Sequence, residues 1–457
     1  MTRSEIINAY RFYYNKSAAK LFQAANLPVE KYGRGCYLYD DKGQKYLDFC
    51  ASYGILGLGY GHPKIQEAML KQLSEQASVP MGCLPPSATL LLTQLRTILP
   101  PQMKGVYLTV SGSEAVEIAL RITNSLRSDR HKVVAIKNSY HGKTNGALTV
   151  LGQAHLRDPF GIWQIETEFI NFNDLEILKK SINQDTLAVI VEPILGGGYI
   201  SVPSPGYLSE IRKLCDHFEV ILIVDEVQTG FGRTGKMFAI EHDGIVPDIM
   251  IISKGASGGH VPFAMVALHE RLELSVASKC FQQSYFREID YFSFPIICAT
   301  ASAAISVIKE ENLTQQSEDI GYYLLSRLKN IANLYPMFII EAIGMGLMTG
   351  IKVQNGIIEN AIWLQMLKRG VITGLSTNTE TPHPVLRFFP PLIVSKQEVD
   401  EALDALHDSL QELSKMPLFF FKIAQKIFKY QFYLPVKMLQ IGVNLLKNIP
   451  RIGQRFR

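Results

Sequence analysis

The chain has 457 residues, of which 47% are hydrophobic and 19% charged, and its formal net charge is +4. This length suits one large domain or two coupled domains. No run of 18 apolar residues free of charges occurs, which argues against a transmembrane helix. Without the eight Lys and Arg residues of the tail from Met416 to Arg457, 38 basic residues stand against 42 acidic ones, and this mildly acidic body argues against nucleic-acid binding there.

The N-terminal stretch MTRSEIINAYRFYYNKSAAK is polar and has no apolar signal core. The six cysteines are scattered, without a C-x-x-C pair or metal-ligand spacing. We therefore expect a cytoplasmic protein with reduced thiols and no metal site.

Strand-like apolar runs alternate with amphipathic helical stretches from about Pro86 to Ala304. This alternation predicts an α/β fold, in which helices cover a mostly parallel sheet.

The segment YLTVSGSEAVEIALRIT joins a short strand to a helix that opens on small residues. Gly112 would let the backbone approach a ligand, Ser113 offers a hydroxyl, and the free N–H groups of the first turn face an anion. Alternatively, Ser111 or Ser113 only caps the helix, with Glu114 or Glu117 in its first turns. Both roles can hold together.

The strand KVVAI leads into KNSYHGKTNGALT. Tyr140 is a candidate to stack on the face of a planar ligand, and His141 is a candidate donor behind the ligand-binding residues. In the alternative, both residues belong to a turn before a core helix.

The stretch VDEVQTGFGRTG contains the G-x-G-x-x-G spacing of dinucleotide-binding loops. Its context does not fit that function, because five residues separate the strand VILIV from Gly230. Gly244 and Pro247 also interrupt the segment that follows, so no long helix is predicted to receive a pyrophosphate.

Asp225 and Lys254 each end an apolar strand, in ILIVD and DIMIISK. Ligands of open α/β sheets bind at that edge of the sheet. An acid and a lysine there suit pyridoxal 5′-phosphate (PLP), because the amine forms a Schiff base with the aldehyde and the acid keeps the pyridine nitrogen protonated. The alternative is a structural ion pair between the two residues.

Six motifs then occur in the order and spacing of the class III aminotransferases: SGSEAVE, YHG, VEPI, VDEVQTGFGRTG, PDIMIISKG and LRFFPPL. The chain resembles this family from about Lys31 to Ser409, and its segment Pro205–Ile249 looks especially like the putrescine and other ω-amine members. The resemblance implies a PLP enzyme of fold type I that moves an amino group between a primary amine or amino acid and a keto acid or aldehyde. It also implies a homodimer with active sites at the subunit boundary.

With this fold we expect an N-terminal segment (1–75) that belongs to the small domain, a large PLP-binding domain (76–318), a small α+β domain (319–415) and a basic tail (416–457).

The resemblance also implies roles for particular residues. Lys254 would form the Schiff base and shuttle protons, and Asp225 would pair with the pyridine nitrogen. Arg387 would bind the α-carboxylate of a glutamate or 2-oxoglutarate partner, which suits the guanidinium fork. The remaining expected roles are phosphate binding by Gly112 and Ser113, stacking by Tyr140, packing under the ring by Val227, a hydrogen bond to the 3′ oxygen from Gln228, and support near Asp225 from Glu192.

The sequence departs from the family at three places. Where many relatives have a glutamate that masks the arginine, in EPIQGE, this chain has Gly197. Where relatives have a threonine that reaches the neighbouring subunit's phosphate, it has Asp290, unless a gap brings Ser293 there. Where dialkylglycine decarboxylases have a glutamine, it has Tyr53, a substrate-binding candidate.

Tyr53 favours transamination over a decarboxylase or mutase on the same fold, although EPIL is shared with the decarboxylases. A non-catalytic scaffold is disfavoured because Lys254 and Asp225 are both present. Without a glutamate at Gly197, Arg387 must swing out, or the donor must carry a carboxylate. We expect an amine or aldehyde larger than glutamate, with glutamate or alanine as the second partner.

The tail from Met416 to Arg457 holds eight Lys or Arg residues and no acid. Apolar residues recur at near-helical spacing on both sides of Pro435, with lysines between them. This pattern predicts amphipathic helices at a membrane interface. The alternatives are packing of the apolar face on the body or the dimer partner, and docking of an acidic partner.

Overall fold

The computed structural model describes residues 1–75, 85–127, 129–161, 165–197, 199–272, 294–376, 381–429 and 434–447, except for the side chains of Leu418 and Lys429. The strands of the described residues are β1 (Glu30–Arg34), β2 (Tyr37–Asp40), β3 (Lys45–Phe49), β4 (Met103–Thr109), β5 (Lys132–Ile136), β6 (Glu166–Ile170), β7 (Thr186–Val191), β8 (Ile221–Asp225), β9 (Ile249–Ile252), β10 (Ala264–His269), β11 (Ile339–Met345), β12 (Met348–Val353), β13 (Val371–Thr373) and β14 (Val385–Phe388).

Helices connect and cover these strands. The α-helices of the described residues are Arg3–Ala9, Lys16–Ala25, Pro63–Glu75, Pro86–Leu95, Gly112–Leu126, Asn145–Thr149, Ala154–Arg157, Leu175–Ser181, Tyr207–His217, Pro295–Glu310, Leu313–Leu334, Gly356–Lys368, Lys396–Ser414, Leu418–Lys429 and Val436–Lys447. The segment Ala51–Gly54 forms a turn with positive φ at every residue. Tyr10–Tyr14 forms a π-helical turn, and the short 3₁₀ helices are Asp158–Phe160, Ala239–His242 and Lys254–Ser257.

The central sheet has seven strands in the order β4-β10-β9-β8-β7-β5-β6. Neighbouring strands from β9 to β6 are parallel, and β10 is antiparallel to both of its neighbours. All residues of β7, β8 and β9 are buried, as expected for parallel strands with helices on both faces. The predicted α/β fold with a mostly parallel sheet is thus confirmed.

Two smaller sheets lie outside this centre. The first has the order β1-β2-β3-β13, and the second has the order β11-β12-β14. In the first sheet β13 pairs in parallel with β3, so residues more than 300 positions apart share it. The second sheet is antiparallel and carries Arg387 in β14, opposite Gly350 of β12.

The tail forms two helices, Leu418–Lys429 and Val436–Lys447, separated at Pro435 as the pattern predicts. Their main apolar surface is turned towards the body. The ring of Phe421 lies 6.2 Å from that of Phe338, and Gln365 Nε2 donates to the Leu446 carbonyl at 2.6 Å. The buried apolar residues of the tail are Met416, Phe420, Phe421, Ala424, Leu439, Val443 and Leu446.

This packing corresponds to the alternative in which the tail belongs to the fold. Ile423 and Ile441, which the periodicity assigns to the same apolar surface, lie on the outside instead. Tyr430, Gln431 and the residues after Lys447 lie outside the described residues. No helix of the described part of the chain is long and apolar enough to cross a bilayer.

Candidate active site

A cavity of about 750 Å³ opens at the carboxyl edge of the central sheet. Its wall brings together residues from β8, β14 and the loops that follow β4, β5, β7 and β9. The site residues expected from the sequence that line it are Tyr53, Gly112, Ser113, Tyr140, His141, Glu192, Asp225, Val227, Gln228, Lys254 and Arg387. All of them therefore face one space.

Asp225 is the last residue of β8 and is buried at the base of this cavity. Its Oδ2 lies 2.8 Å from Nδ1 of buried His141, and its Oδ1 accepts a hydrogen bond from the Val227 backbone N–H at 3.0 Å. The side chain that contacts Asp225 is thus His141. Because both oxygens are engaged, the carboxylate is held in one orientation.

Lys254 follows β9 and has a left-handed backbone conformation, with φ of +49°. A non-glycine residue in this region is uncommon and costs free energy, which is typical of functional sites. Burial disfavours the charged amine and lowers the pKa of Lys254 from 10.5 to about 8, although the charges of Glu192 and Asp225 oppose this effect. The amine is therefore partly neutral near neutral pH, as a nucleophile must be.

Glu192 follows β7 and is a buried part of the cavity wall. Its carboxylate accepts hydrogen bonds from the backbone N–H groups of Tyr140, at 2.8 Å, and Gly196, at 3.2 Å. Desolvation raises the pKa of Glu192 to about 7. Glu192 thus ties together the two loops that carry Tyr140 and the Gly196–Gly197 pair.

The helix Gly112–Leu126 points its N-terminus at the cavity. Ser111 is the N-cap, since its side chain accepts the Glu114 N–H at 3.3 Å, and Glu114 in turn accepts a bond from Thr109 Oγ1 at 2.8 Å. The capping role weighed from the sequence is present, and Gly112 and Ser113 still line the cavity. The helix start therefore offers N–H groups and a hydroxyl to an anion.

The loops around this helix start are packed too closely for larger residues. A Cβ at Gly112 would lie 3.2 Å from Val227 Cγ2, and a Cβ at Gly142 would lie 2.2 Å from Ser113 Oγ. Gly142 also has φ of +113°, a conformation that favours glycine. These two glycines shape a narrow cradle around Ser113.

Tyr53 and Arg387 lie next to each other in another part of the cavity wall. The Arg387 guanidinium carbon lies 5.2 Å from the centre of the Tyr53 ring, and the Tyr53 hydroxyl donates to the Leu375 carbonyl at 3.1 Å. Gln228 Nε2 donates to the Tyr53 carbonyl at 3.0 Å. Tyr53 is thus fixed at both its backbone and its hydroxyl.

Tyr53 ends a run of three left-handed residues, with φ of +44° at Ala51, +51° at Ser52 and +58° at Tyr53. The Asp48 carboxylate accepts the N–H groups of Cys50 and Ala51 and so stabilises the turn. The sequence does not predict this feature, because none of the three residues is a type that favours positive φ.

Gly197 lies between Tyr140 and Gln153. A Cβ at Gly197 would be 2.3 Å from Tyr140 Cβ and 2.6 Å from Gln153 Nε2. The Gln153 side chain is buried, and neither of its polar atoms has a hydrogen-bond partner among the described residues. Gln153 was missed as well, and only its place near Gly197 in the fold reveals it.

The structure also adds Ser253, Lys143 and His260 to the cavity wall. Each of them could have been found from its place in the sequence: Ser253 precedes Lys254, Lys143 lies two residues after His141, and His260 follows Gly258 and Gly259. The alternatives Asp290 and Ser293 for the phosphate contact lie outside the described residues.

This arrangement fits PLP. An oriented carboxylate, a lysine with a depressed pKa and a glycine-lined helix N-terminus surround one cavity of suitable volume. Together with the mostly parallel sheet, they define a fold-type I PLP-dependent enzyme.

Comparison with known proteins agrees with this class. The sequence model of the family described as "Aminotransferase class-III" matches residues 21–410. The chain therefore belongs to the class III aminotransferases, which use PLP.

Solved structures of aminotransferases superpose over nearly the whole chain. The ornithine aminotransferase of Toxoplasma gondii is 27% identical, with a TM-score of 0.79 over 90% of this chain and 94% of that one. An aminotransferase of Bacillus anthracis is 24% identical, with a TM-score of 0.80 over 90% and 99% of the two chains. At 24% identity the second comparison shows the fold alone.

Proposed function

We propose that the protein transfers an amino group between a primary amine or amino acid and a keto acid or aldehyde, with Lys254 as the catalytic residue. The proposal depends on one observation: Asp225 ends β8, Lys254 follows the adjacent parallel strand β9, and both face one cavity. When bound, PLP supplies an electron sink that stabilises negative charge on the substrate carbon.

The proposed roles of the residues follow from their contacts. The Lys254 amine, which burial keeps partly neutral, holds the cofactor and moves a proton between substrate and cofactor carbons. Asp225 binds the protonated ring nitrogen, and His141 keeps the carboxylate in place. Gly112 and Ser113 would bind the phosphate, Tyr140 and Val227 would pack against the ring, and Gln228 would bind the 3′ oxygen.

The test is a screen of amino donors with the purified, PLP-loaded protein. Two readouts are measured for each donor: the visible absorbance of the cofactor and the formation of a keto acid. Active donors should change the visible absorbance of the cofactor bound to the wild type. The Lys254→Ala variant should show no turnover, and it should still bind PLP through the phosphate and Asp225 contacts. Near-normal transamination by Lys254→Ala would refute the assignment. Release of carbon dioxide from the donor would identify the decarboxylase alternative instead.

We also propose that the enzyme is a homodimer with its active sites at the subunit boundary. In each subunit, residues 76–318 form the large domain, and residues 1–75 together with 319–415 form the small domain. Supporting this, Tyr13 and Tyr14 near the N-terminus are more than 80% exposed in the single chain, as expected for residues that a partner covers. Sedimentation velocity over a dilution series, with activity measured at each concentration, tests the assembly. Full activity of a monomer would contradict it.

A cytoplasmic location and a peripheral contact of the tail with an anionic membrane remain part of the proposal. Supporting the contact, Phe419, Ile423, Met438 and Ile441 are exposed beside Lys422, Lys426 and Lys437, and each lysine near an anionic leaflet adds about 1 kcal/mol. The burial of the other apolar residues argues for a weak contact.

Co-sedimentation with phosphatidylserine vesicles at low salt tests this contact. Binding lost on changing the three lysines to glutamine supports it. Protein that stays in the supernatant removes the membrane role, and capture by an acidic protein only would point to the docking alternative.

A further inference from the structure

A second cavity, of about 590 Å³, lies on the small sheet β11-β12-β14. Glu341, Lys352 and Val385 line it. They pair across the three strands, so their side chains stand in one row on one face of the sheet. The lining also includes Asn138, after β5, and Tyr199, after β7. A volume of this size is typical of sites that bind small molecules.

The second cavity is separate from the active-site cavity. The two share none of their described lining residues. Two loops contribute to both: Tyr140 and Gly197 line the active-site cavity, whereas Asn138 and Tyr199 line the second cavity. Asn138 Nδ2 donates to the Tyr199 hydroxyl at 3.0 Å and so joins the two loops on the side of the second cavity.

The charged side chains at the second cavity form an ion pair. Lys352 Nζ lies 3.1 Å from Glu341 Oε1, and the two side chains are 37% and 49% exposed. An ion pair this exposed contributes little to stability, so a ligand can separate its members at small cost. The imidazole of His383, also in the lining, lies with Nδ1 3.1 Å from the Gln354 carbonyl oxygen.

Apolar side chains lie beside this ion pair. Ile200 and Val385 line the second cavity, are buried, and pack in one cluster with Ile343. They fill the space above Gly350, where a Cβ would lie 2.5 Å from Val385 Cγ1 and 3.0 Å from Ile200 Cδ1. The second cavity therefore offers an apolar wall next to one positive and one negative group.

We propose that the second cavity binds a dipolar α-amino acid with an apolar side chain. The carboxylate faces Lys352, the ammonium faces Glu341, and the side chain lies against Ile200 and Val385. Because an α-amino acid carries both charges on one carbon, a single small molecule replaces one ion pair by two. A simple anion would be repelled by the glutamate, and a simple amine by the lysine. The bound amino acid is not transaminated there, because Lys254 lines the other cavity.

The first experiment measures binding without turnover. The PLP-loaded wild type is titrated in a calorimeter with N-methyl-L-leucine, whose secondary amine cannot be transferred, so the result does not depend on the proposed transamination. Two comparison compounds are 4-methylpentanoate, which lacks the amine, and N-methyl-3-methylbutylamine, which lacks the carboxylate. Each should bind at least about fivefold more weakly than N-methyl-L-leucine. Equal binding of the three compounds, or no binding of N-methyl-L-leucine at about 10 mM, would overturn the inference.

Variants of the ion pair locate the binding. Lys352→Gln and Glu341→Gln each remove one charge and should weaken the binding of N-methyl-L-leucine at least about fivefold. Lys213→Gln is the matched control, because Lys213 makes an exposed ion pair with Glu210, at 2.7 Å, and neither residue lines either cavity. This variant should bind N-methyl-L-leucine like the wild type. Unchanged binding in both ion-pair variants overturns the inference.

Arg387→Gln separates the two cavities. Arg387 lines the active-site cavity, so binding in the second cavity should survive this substitution. Binding that is lost in Arg387→Gln and retained in Lys352→Gln would place the amino acid in the active site and overturn the inference. If Arg387→Gln does not fold, the variants of the half-exposed Glu341 and Lys352 decide the matter.

Discussion

The reactivity of Lys254 should depend on pH, with a midpoint at a much lower pH than for an ordinary lysine. Burial lowers the pKa of its amine from 10.5 to about 8. The neutral fraction at pH 7 is then about one tenth rather than about one in 3,000, a gain of roughly 300-fold. Because only the neutral amine is nucleophilic, the rate of acylation should rise with pH through about 8 and level off above it.

Competitive labelling of the PLP-free protein with acetic anhydride measures this titration. The reagent is uncharged, and peptide mass spectrometry reports Lys254 separately from Lys71, whose side chain is 73% exposed and serves as the internal reference. A Lys254 rate that still climbs between pH 9.5 and 10.5 would refute the reasoning.

The charges near Lys254 provide a second check on the direction in which its pKa is shifted. The negative charges of Asp225 and Glu192 favour the charged amine and so raise the pKa of Lys254. Asp225→Asn should therefore move the labelling midpoint to lower pH. A midpoint that moves to higher pH would show that burial and these charges do not set the titration.

Two further predictions concern the tail and the phosphate cradle. Phe421→Ala should lower the free energy of unfolding in urea by about 3 kcal/mol, as for other buried phenylalanines. Phe419 on the same helix is 52% exposed, so Phe419→Ala should change that free energy by less than about 0.5 kcal/mol. Gly142→Ala should weaken PLP binding in equilibrium dialysis at least tenfold, because the new Cβ would displace Ser113 Oγ. Gly161→Ala, which has the same sign of φ but open space around it, should leave binding unchanged.

These matched pairs separate the causes. Equal effects of the two phenylalanine substitutions would mean that the tail does not pack as described. Equal loss of PLP binding in the two glycine variants would assign the effect to backbone strain and not to the collision with Ser113.

The sequence alone predicted that Asp225 and Lys254 share one site, because the required geometry is local. Asp225 and Lys254 end consecutive strands of an α/β pattern, and the carboxyl ends of parallel strands meet at one edge. The same local logic rejected the dinucleotide-binding loop, since the segment after Gly235 forms only the short 3₁₀ helix Ala239–His242. The order and spacing of the six motifs were enough to identify the family, because they can be read without knowing which residues are in contact.

Contacts between distant residues depended on the tertiary structure. His141 and Asp225 are 84 positions apart, and Arg387 reaches a carbonyl 190 positions away. No periodicity encodes which side chain fills the space beside Gly197, because that depends on how β14 and the loops after β5 and β7 are packed. The sequence therefore showed the missing glutamate, and only the fold showed Gln153 in the adjoining space.

The tail illustrates the same division. Its near-helical spacing determined two amphipathic helices broken at Pro435, since the period of apolar residues fixes which side of a helix avoids water. The pattern is silent on what covers that side, because a lipid surface and a protein surface both remove apolar groups from water. The fold decided this point: Phe421 lies against Phe338 and Leu446 against Gln365, where the body offers apolar surface and a hydrogen-bond donor that a membrane interior lacks.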